Sequence, residues 1–317
     1  MTGRDESKVP RASHSVTVLH ATAAALWHDA RHACDDALAR GFTFVLVLNG
    51  AEAFGDDSLL MDEDRQRSAR FHQPSDRHNF VLGRTMVHHL VRSRGASTPD
   101  AFRLGPYGKP FLPNAPAFSL SHSGRWIACA VSRHDPVGID LETFTRLGDY
   151  RDLLPAVAHP AERRCIGEAM LHERLPLFQR CWTRKEAILK ATGVGLADDL
   201  QRIDVRLDQD APLLSDPAPL RVIDLPLNDG QATAALAQAP CVQATVVVRV
   251  GRVSDTKFSA SRSSIASCDL PNSRSAGSTP SVIVQEGGYH IETLAANAEA
   301  FFTGFGSRRG QGDVLRT

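Results

Sequence analysis

The chain has 317 residues, of which 42% are hydrophobic and 23% charged, so it can bury a sizeable core and wholesale disorder is excluded. Its 36 Lys and Arg balance 36 Asp and Glu, so no net charge attracts nucleic acid or an acidic membrane. No apolar run reaches the length of a membrane-spanning helix, the first residues do not resemble an export signal, and the six cysteines are scattered without a C-x-x-C pair. We therefore expect a cytoplasmic protein with reduced thiols and no nucleic-acid or membrane partner.

Apolar periodicity and turn-forming residues predict alternating helices and strands up to about residue 250. The expected helices are Ala21–Arg40, Asp76–Arg92 and Pro176–Thr192. The expected strands are Phe42–Leu48, Phe118–Leu120, Trp126–Ser132, Val137–Leu141, Asp204–Leu207 and Val242–Val250. This content indicates a mixed α and β fold.

The composition of the sequence changes after Gly251, and ten serines occur from Ser254 to Ser281. Such a Ser-rich stretch cannot bury enough apolar surface to fold, which predicts a disordered tail. We therefore expect four parts: an extension with a helix at residues 1–41, two α/β subdomains at 42–139 and 140–250, and a largely disordered tail at 251–317.

Two carboxylates, Asp140 and Glu142, share one face of a predicted strand, because side chains alternate with period two. Such a pair repels unless a cation lies beside it, and Mg²⁺ prefers hard oxygen ligands of this kind. A solvated strand end is the alternative explanation of the pair.

On the predicted helix Pro176–Thr192, Glu186 and Lys190 are four residues apart and therefore share a face. They could form a surface salt bridge of about 0.3–0.5 kcal/mol. Because Trp182, Ile188 and Leu189 flank them, the helix is not freely solvated, and a carboxylate and an ammonium beside a metal-bound phosphate are the second possibility.

Three weaker features could bind an anion. Gly108 and Lys109 form a turn before Pro110, although it lacks the spacing of a phosphate-binding P-loop. Ser121 and His122 lack the G-x-S-x-G pattern of a hydrolase, so contact with a phosphate is the better interpretation. Arg77 belongs with Arg84 and His88 to a basic stripe on the predicted helix Asp76–Arg92, and this stripe could equally be a solvated face.

The order and spacing of these motifs are more specific than any one of them. The chain resembles the Sfp-type 4′-phosphopantetheinyl transferases over roughly residues 42–250, chiefly in its G-I-D-x-E and W-T-x-K-E-A-x-x-K motifs. The matching segments are Arg70–Arg84, Gly108–Pro110, Ser119–Ser123, Gly138–Glu142 and Phe178–Leu196.

The resemblance implies two similar α/β subdomains related by a pseudo-twofold axis, with coenzyme A and Mg²⁺ bound between them. It also implies transfer of 4′-phosphopantetheine from coenzyme A to a serine of an apo carrier protein, in the manner of a holo-acyl-carrier-protein synthase, with release of 3′,5′-ADP.

The resemblance further implies a role for each motif residue. Asp140, Glu142 and Glu186 would hold Mg²⁺ on the pyrophosphate, and Lys190 would contact the phosphates. Asp140, Glu186 and Lys190 are thus the expected catalytic residues, with Glu186 the best-placed base for the attacking serine. The residues expected to contact coenzyme A are Arg77, Gly108, Lys109, Ser121, His122 and Lys190.

Two other functions stay open at this point: a non-catalytic module that binds coenzyme A or a carrier protein, and a Mg²⁺-dependent phosphohydrolase. Acyl, peptidyl and aryl carrier proteins are all possible partners, and two subdomains in one chain make a monomer sufficient.

Overall fold

The computed structural model describes residues 14–21, 25–51, 53–92, 102–134, 136–143, 150–194, 200–225, 227 and 232–250. The tail predicted at 251–317 lies outside these residues. The helices are α1 (Leu26–Ala39), α2 (Asp62–Ser68), α3 (Pro74–Leu90), α4 (Tyr150–Val157), α5 (Pro160–Glu168) and α6 (Arg174–Thr192). The strands are β1 (Ser15–Ala21), β2 (Thr43–Asn49), β3 (Arg103–Leu104), β4 (Pro110–Phe111), β5 (Ala117–Ser123), β6 (Trp126–Ser132), β7 (Val137–Thr143), β8 (Leu213–Leu214), β9 (Leu220–Leu225), β10 (Ala232–Gln238) and β11 (Ala244–Val250).

The strands form two main sheets and one small hairpin, which confirms the mixed α and β class. The first sheet has the order β1-β11-β2-β6-β5 and the second the order β7-β10-β9-β8, while β3 and β4 pair only with each other. Strand β11 is parallel to both of its neighbours. The first sheet therefore takes β1 from the predicted N-terminal extension and β11 from the end of the predicted second subdomain.

Apolar side chains pack the two sheets face to face and cover their outer faces with helices. The layer between the sheets includes Val45, Val47, Ala128 and Ala130 from the first sheet and Ile139, Leu141, Ala234 and Leu236 from the second. The outer face of the first sheet packs against α1 and α3 through Leu46, Ile127, Leu82 and Met86. The outer face of the second packs against α6 through Val222, Ala235, Phe178 and Ile188.

Helix α6 approaches β7 most closely at Gly138. A Cβ atom on Gly138 would overlap the carbonyl oxygen of Ala187 and the amide nitrogen of Ala191, and would lie 2.9 Å from the Cα of Ala191. Only glycine leaves room for the helix backbone here. The close approach brings the last turns of α6 directly onto the face of β7 that carries Asp140.

Hydroxyl groups connect β5 to β7, where the two sheets meet. The Oγ atoms of Ser119, Ser121 and Ser123 each accept a hydrogen bond of 3.1 Å from a β7 backbone N–H, at Ile139, Leu141 and Thr143 respectively. The three serines lie on one face of β5 because they are two residues apart. We call these three contacts the serine ladder.

Most predicted elements are confirmed, but the strand predicted at Asp204–Leu207 is wrong. Ile203, Val205 and Leu207 alternate as in a strand because all three are buried against the helices of the second half. The backbone of this segment instead forms irregular structure and turns, and its polar groups bind side chains. The predicted first helix also begins later than expected, at Leu26, and Ala21, where it was predicted to begin, is the last residue of β1.

Two further expectations concern the described part of the chain. Five of the six cysteines are described, and all five are free thiols. None of the helices in the described ranges is both long enough and apolar enough to cross a membrane.

Candidate functional site

The site lies where β7 meets α6. Strand alternation directs Gly138, Asp140 and Glu142 toward α6, because Ile139 and Leu141 point into the layer between the sheets. Glu186 and Lys190 come from the facing side of the helix. Asp140, Glu186 and Lys190 are only 3%, 5% and 7% exposed. The helix face is therefore buried, not the solvated surface of a simple salt bridge.

Lys190 forms the centre of the contacts in this site. Its Nζ donates to Asp140 Oδ1 at 2.7 Å and to the Oγ of Ser121 at 3.1 Å. Ser121 in turn donates to the same Asp140 oxygen at 3.0 Å. The structure thus brings Asp140, Lys190 and Ser121 together, as three mutually bonded groups away from solvent.

The second oxygen of Asp140 distinguishes this pair from a purely structural ion pair. Asp140 Oδ2 is buried and has no hydrogen-bond partner among the residues that the structure describes. Burying a carboxylate oxygen without a partner is costly, and native proteins rarely leave such an atom unsatisfied without a reason. An oxygen of this kind, on the same strand face as Glu142 and beside the helix that carries Glu186, fits a hard cation such as Mg²⁺.

The three carboxylates do not yet form a closed metal site. Across the described ranges, no group of three or more His, Cys, Asp or Glu side chains is gathered closely enough to hold a metal ion. The nearest cation to Asp140 is the ammonium of Lys190. The predicted set of Asp140, Glu142 and Glu186 therefore stays a prediction, supported by the donor chemistry and by the buried oxygen of Asp140.

Glu142 is held by a residue that sequence reasoning missed. The hydroxyl of Ser123 donates to Glu142 Oε2 at 2.8 Å and lies 3.2 Å from the hydroxyl of Thr143. The signal was present in the sequence, since Ser119, Ser121 and Ser123 recur with the period of a strand. Nothing in the sequence indicated that their partners were on β7.

Lys109 and Gly108 lie in the turn between β3 and β4. Gly108 has a positive φ of 85°, which glycine adopts without strain. Lys109 Nζ donates to the carbonyl of Val137 at 2.9 Å, and its side chain would contact a Cβ on Gly193 at the end of α6. The turn therefore reaches the first residue of β7 and the last turn of α6, beside the Asp140 site.

Ser121 and His122 lie on opposite faces of β5. Ser121 faces the second sheet, whereas His122 shares the face of Phe118 and Leu120, which pack with α3. The shared contact with coenzyme A expected for these two residues stays a prediction, but Ser121 already bonds to Asp140 and Lys190.

The predicted basic stripe of α3 is largely engaged in the fold. Arg77 is exposed and pairs with Asp57 at 2.5 Å. Arg84 pairs with Asp64 at 3.0 Å and lies over the rings of Phe80 and Phe102. The structure gives Arg84 a packing role, since a planar guanidinium stacks well on aromatic rings.

Two further charges of the W-T-x-K-E motif are structural. Arg184 is fully buried and forms ion pairs and hydrogen bonds to Asp224 and to the carbonyls of residues 205, 206 and 209. Lys185 pairs with the buried Glu162 at 2.9 Å and donates to the carbonyls of Leu200 and Ile203. These two side chains fix the irregular segment after α6.

Glu162 is the acidic centre of that structural cluster. Its carboxylate accepts from the backbone N–H of His159 at 2.7 Å and of Val205 at 2.8 Å, and from the thiol of Cys181 at 3.1 Å. Burial, and then the charge of Glu162, raise the pKa of the Cys181 thiol well above 9.0. Cys181 therefore stays protonated and donates rather than acting as a nucleophile.

Replacing Lys185 with methionine is expected to lower the free energy of unfolding by about 3 kcal/mol, because it leaves a buried carboxylate without its cation. Urea unfolding of the variant and the wild type measures the change. Arg163→Met is the matched control, a half-buried cation on the same side of the fold outside this ion pair. Equal stability of the Lys185 variant and the wild type would contradict the structural role of the pair.

Comparison with known proteins identifies a family that this chain is similar to. A family model of the 4′-phosphopantetheinyl transferase superfamily matches residues 136–233, which include β7 and α6. A 4′-phosphopantetheinyl transferase of Bacillus subtilis is 32% identical over 152 residues, or 47% of this chain and 66% of that protein. The match therefore spans just under two thirds of that relative.

Two other relatives are covered more fully. The 4′-phosphopantetheinyl transferase HetI of Nostoc sp. is 31% identical over 189 residues, which are 57% of this chain and 79% of HetI. The 4′-phosphopantetheinyl transferase psf-1 of Bacillus pumilus is 32% identical over 200 residues, which are 58% of this chain and 72% of psf-1. The chain belongs to the 4′-phosphopantetheinyl transferase superfamily.

Proposed function

We propose that the protein transfers 4′-phosphopantetheine from coenzyme A to a serine hydroxyl of an apo carrier protein, with Mg²⁺ as the cofactor. The observation that carries the proposal is the buried Asp140–Lys190 pair, whose Asp140 Oδ2 has no hydrogen-bond partner among the described residues. The 4′-phosphopantetheinyl transferases that this chain resembles support the same reaction.

The reaction forms a bond between the serine oxygen and the β-phosphorus of coenzyme A and breaks the bond between that phosphorus and the oxygen of the leaving 3′,5′-ADP. Asp140, Glu142 and Glu186 would hold Mg²⁺, which when bound neutralises charge on the pyrophosphate. Phosphoryl transfer depends mainly on positioning and on charge stabilisation, which a buried ammonium supplies well. Lys190 would stabilise the leaving diphosphate oxygens, and Glu186 would accept the serine proton.

The nucleotide end of coenzyme A would lie beside the turn that carries Gly108 and Lys109. The N–H groups of Gly105 and Gly108 donate to carbonyls within the turn and shape it, and the lysine ammonium that the turn carries is a suitable partner for a phosphate. His122, Ser121 and Arg77 are the further proposed contacts. Of these, Ser121 would act mainly by orienting Asp140, because its hydroxyl donates a hydrogen bond to that carboxylate.

The proposed partners are acyl, peptidyl or aryl carrier proteins, modified as a holo-acyl-carrier-protein synthase would modify them. The five free thiols of the described residues support a cytoplasmic location. A single chain carries all the proposed site residues, so a monomer is sufficient.

Intact-mass measurement of an apo carrier protein tests the proposal directly. The carrier is incubated with coenzyme A, Mg²⁺ and this protein, and a parallel sample contains EDTA. We expect a mass gain of one phosphopantetheine without EDTA and no gain with it. Consumption of coenzyme A with an unmodified carrier would favour a phosphohydrolase, and binding without consumption would favour a non-catalytic module.

Lys109→Met is expected to raise KM for coenzyme A about tenfold and to change kcat little. The turn contacts the ligand equally in the ground and transition states, so its loss weakens binding rather than the chemical step. Methionine keeps the packing of the side chain beside Gly193 but removes the ammonium. Steady-state kinetics with coenzyme A and with dephospho-coenzyme A measure the change. An unaltered KM for both substrates would remove Lys109 from the site.

A further inference from the structure

We propose that Ser123 is a positioning residue that fixes the Glu142 carboxylate for metal binding. The inference rests on the proposed function, because it assigns a task to the serine ladder within the same site. Ser123 lies in the matching segment Ser119–Ser123, but the resemblance assigned it no role.

Each hydrogen-bonding position of the Ser123 hydroxyl has a partner in the structure. A serine hydroxyl offers one proton and two lone pairs. Its oxygen accepts the backbone N–H of Thr143 at 3.1 Å, and the Thr143 hydroxyl lies 3.2 Å away. Glu142 Oε2, at 2.8 Å, can only accept while ionised, so the single Ser123 proton points to it.

Burial and backbone pairing fix the position of the Ser123 hydroxyl. Ser123 is 0% exposed, and its backbone is paired in β5 with Trp126 across the hairpin. Its partner N–H belongs to Thr143, the residue directly after Glu142. The serine therefore fixes both the backbone of β7 and the direction of the Glu142 side chain, and metal affinity depends on such outer contacts to the ligands.

The serine ladder supplies its own control. Ser119 makes the same 3.1 Å contact to a β7 backbone N–H, at Ile139, and the side chain of that residue is apolar. Ser121 bonds to Asp140 but also to Lys190, so its loss would change two groups at once. Ser119→Ala and Ser123→Ala thus each remove one contact to a β7 backbone N–H, while Ser123→Ala also removes the contact to the Thr143 hydroxyl and the bond to the Glu142 carboxylate.

The test measures Mn²⁺ binding to the full chain by electron paramagnetic resonance, without substrates, for the wild type, Ser119→Ala and Ser123→Ala. We expect a Kd about tenfold higher in Ser123→Ala and unchanged in Ser119→Ala, since loss of outer contacts typically costs 10–100-fold in metal affinity. Thermal unfolding in metal-free buffer should show a lower Tm in both variants than in the wild type, and a Tm no higher in Ser123→Ala than in Ser119→Ala, because Ser123 makes more contacts. The Mg²⁺ concentration for half-maximal transfer should rise in Ser123→Ala, with KM for the carrier protein unchanged.

Equal Mn²⁺ affinities in Ser119→Ala and Ser123→Ala would overturn the inference, as would a wild-type chain that binds no Mn²⁺. If Ser123→Ala does not fold, Ser123→Cys and Ser119→Cys are compared instead; because a thiol is only a weak hydrogen-bond donor, a smaller rise in the Mn²⁺ Kd is then expected, in Ser123→Cys alone. A wild type that binds Mn²⁺ but transfers no phosphopantetheine would contradict the proposed function, while weaker binding in Ser123→Ala would still support the role of Ser123.

Discussion

Asp140→Asn is expected to reduce phosphopantetheine transfer by about 10³-fold or more, a loss at the upper end of those seen when one transition-state-stabilising group is removed. Asparagine has nearly the same volume and keeps an oxygen for Ser121, so the loss follows from charge rather than shape. The variant removes the proposed metal ligand and leaves Lys190 without its carboxylate. Transfer to an apo carrier protein, followed by intact mass, measures the effect.

The same variant should also be less stable without ligands. The sequence predicts that neighbouring carboxylates such as Asp140 and Glu142 repel in the absence of a cation, so that removal of Asp140 would leave the stability of the metal-free protein equal or higher. The structure reverses that expectation, because Lys190 compensates Asp140 at 2.7 Å in a buried setting. Removing one partner of a buried pair costs about 3 kcal/mol. Urea unfolding of the ligand-free protein should therefore give a lower free energy for Asp140→Asn.

Asp64→Asn is the control that separates the general effect of losing a buried carboxylate from the specific effect of losing Asp140 in the site. Asp64 is also buried and paired with a cation, Arg84 at 3.0 Å. The Asp64→Asn variant should have a lower free energy of unfolding than the wild type, while its folded fraction should transfer phosphopantetheine at the wild-type rate. Full activity of Asp140→Asn, or wild-type transfer that survives EDTA, would rule out the proposed roles of Asp140 and the metal.

Gly138→Ala is expected to prevent normal folding or to lower the free energy of unfolding by at least about 4 kcal/mol. Losses of this size are typical of substitutions that disrupt a packed core. The added Cβ would overlap backbone atoms of Ala187 and Ala191, which cannot rotate away as a side chain can. Helix α6 would have to move off β7, and the Asp140–Lys190 pair would separate with it. Thermal unfolding and circular dichroism of the purified variant measure the loss.

Gly167→Ala is the matched control for that substitution. Gly167 lies within α5, where an added Cβ meets nothing within 4 Å. Alanine is favoured over glycine in a helix by about 0.5–1 kcal/mol, so this variant should be as stable as the wild type or more so. A Gly138→Ala protein with wild-type stability would contradict the close packing of α6 on β7.

The local features of the site could be predicted from the sequence because each depends on residues near one another. Strand alternation correctly joins Asp140 with Glu142, and helical spacing joins Glu186 with Lys190. The partners across the fold could not be predicted in this way. The bond from Ser123 to Glu142 depends on the meeting of two sheets, and the pairing of Lys185 with Glu162 depends on how α5 packs on α6.

The irregular segment at 203–207 shows a second limit. Its alternating apolar residues are typical of a strand, yet Arg184 and Lys185 use its carbonyls as hydrogen-bond acceptors. A sequence pattern reports which side chains are buried but not which partner satisfies the backbone. The alternation at 203–207 therefore coincides with burial of its apolar side chains, but the strand predicted there is wrong.

The position of β11 between β1 and β2 has a consequence for how the chain folds. Thr43 of β2 and Thr245 of β11 are neighbours in the sheet although about 200 residues separate them, so the first sheet has high contact order. During synthesis from the N-terminus, β1 and β2 are made early, with a gap one strand wide between them that stays open until residues 244–250 emerge. The apolar residues that pack beside β11 lack that strand for most of translation, so we expect a nascent chain of this protein to need protection from aggregation until β11 is made.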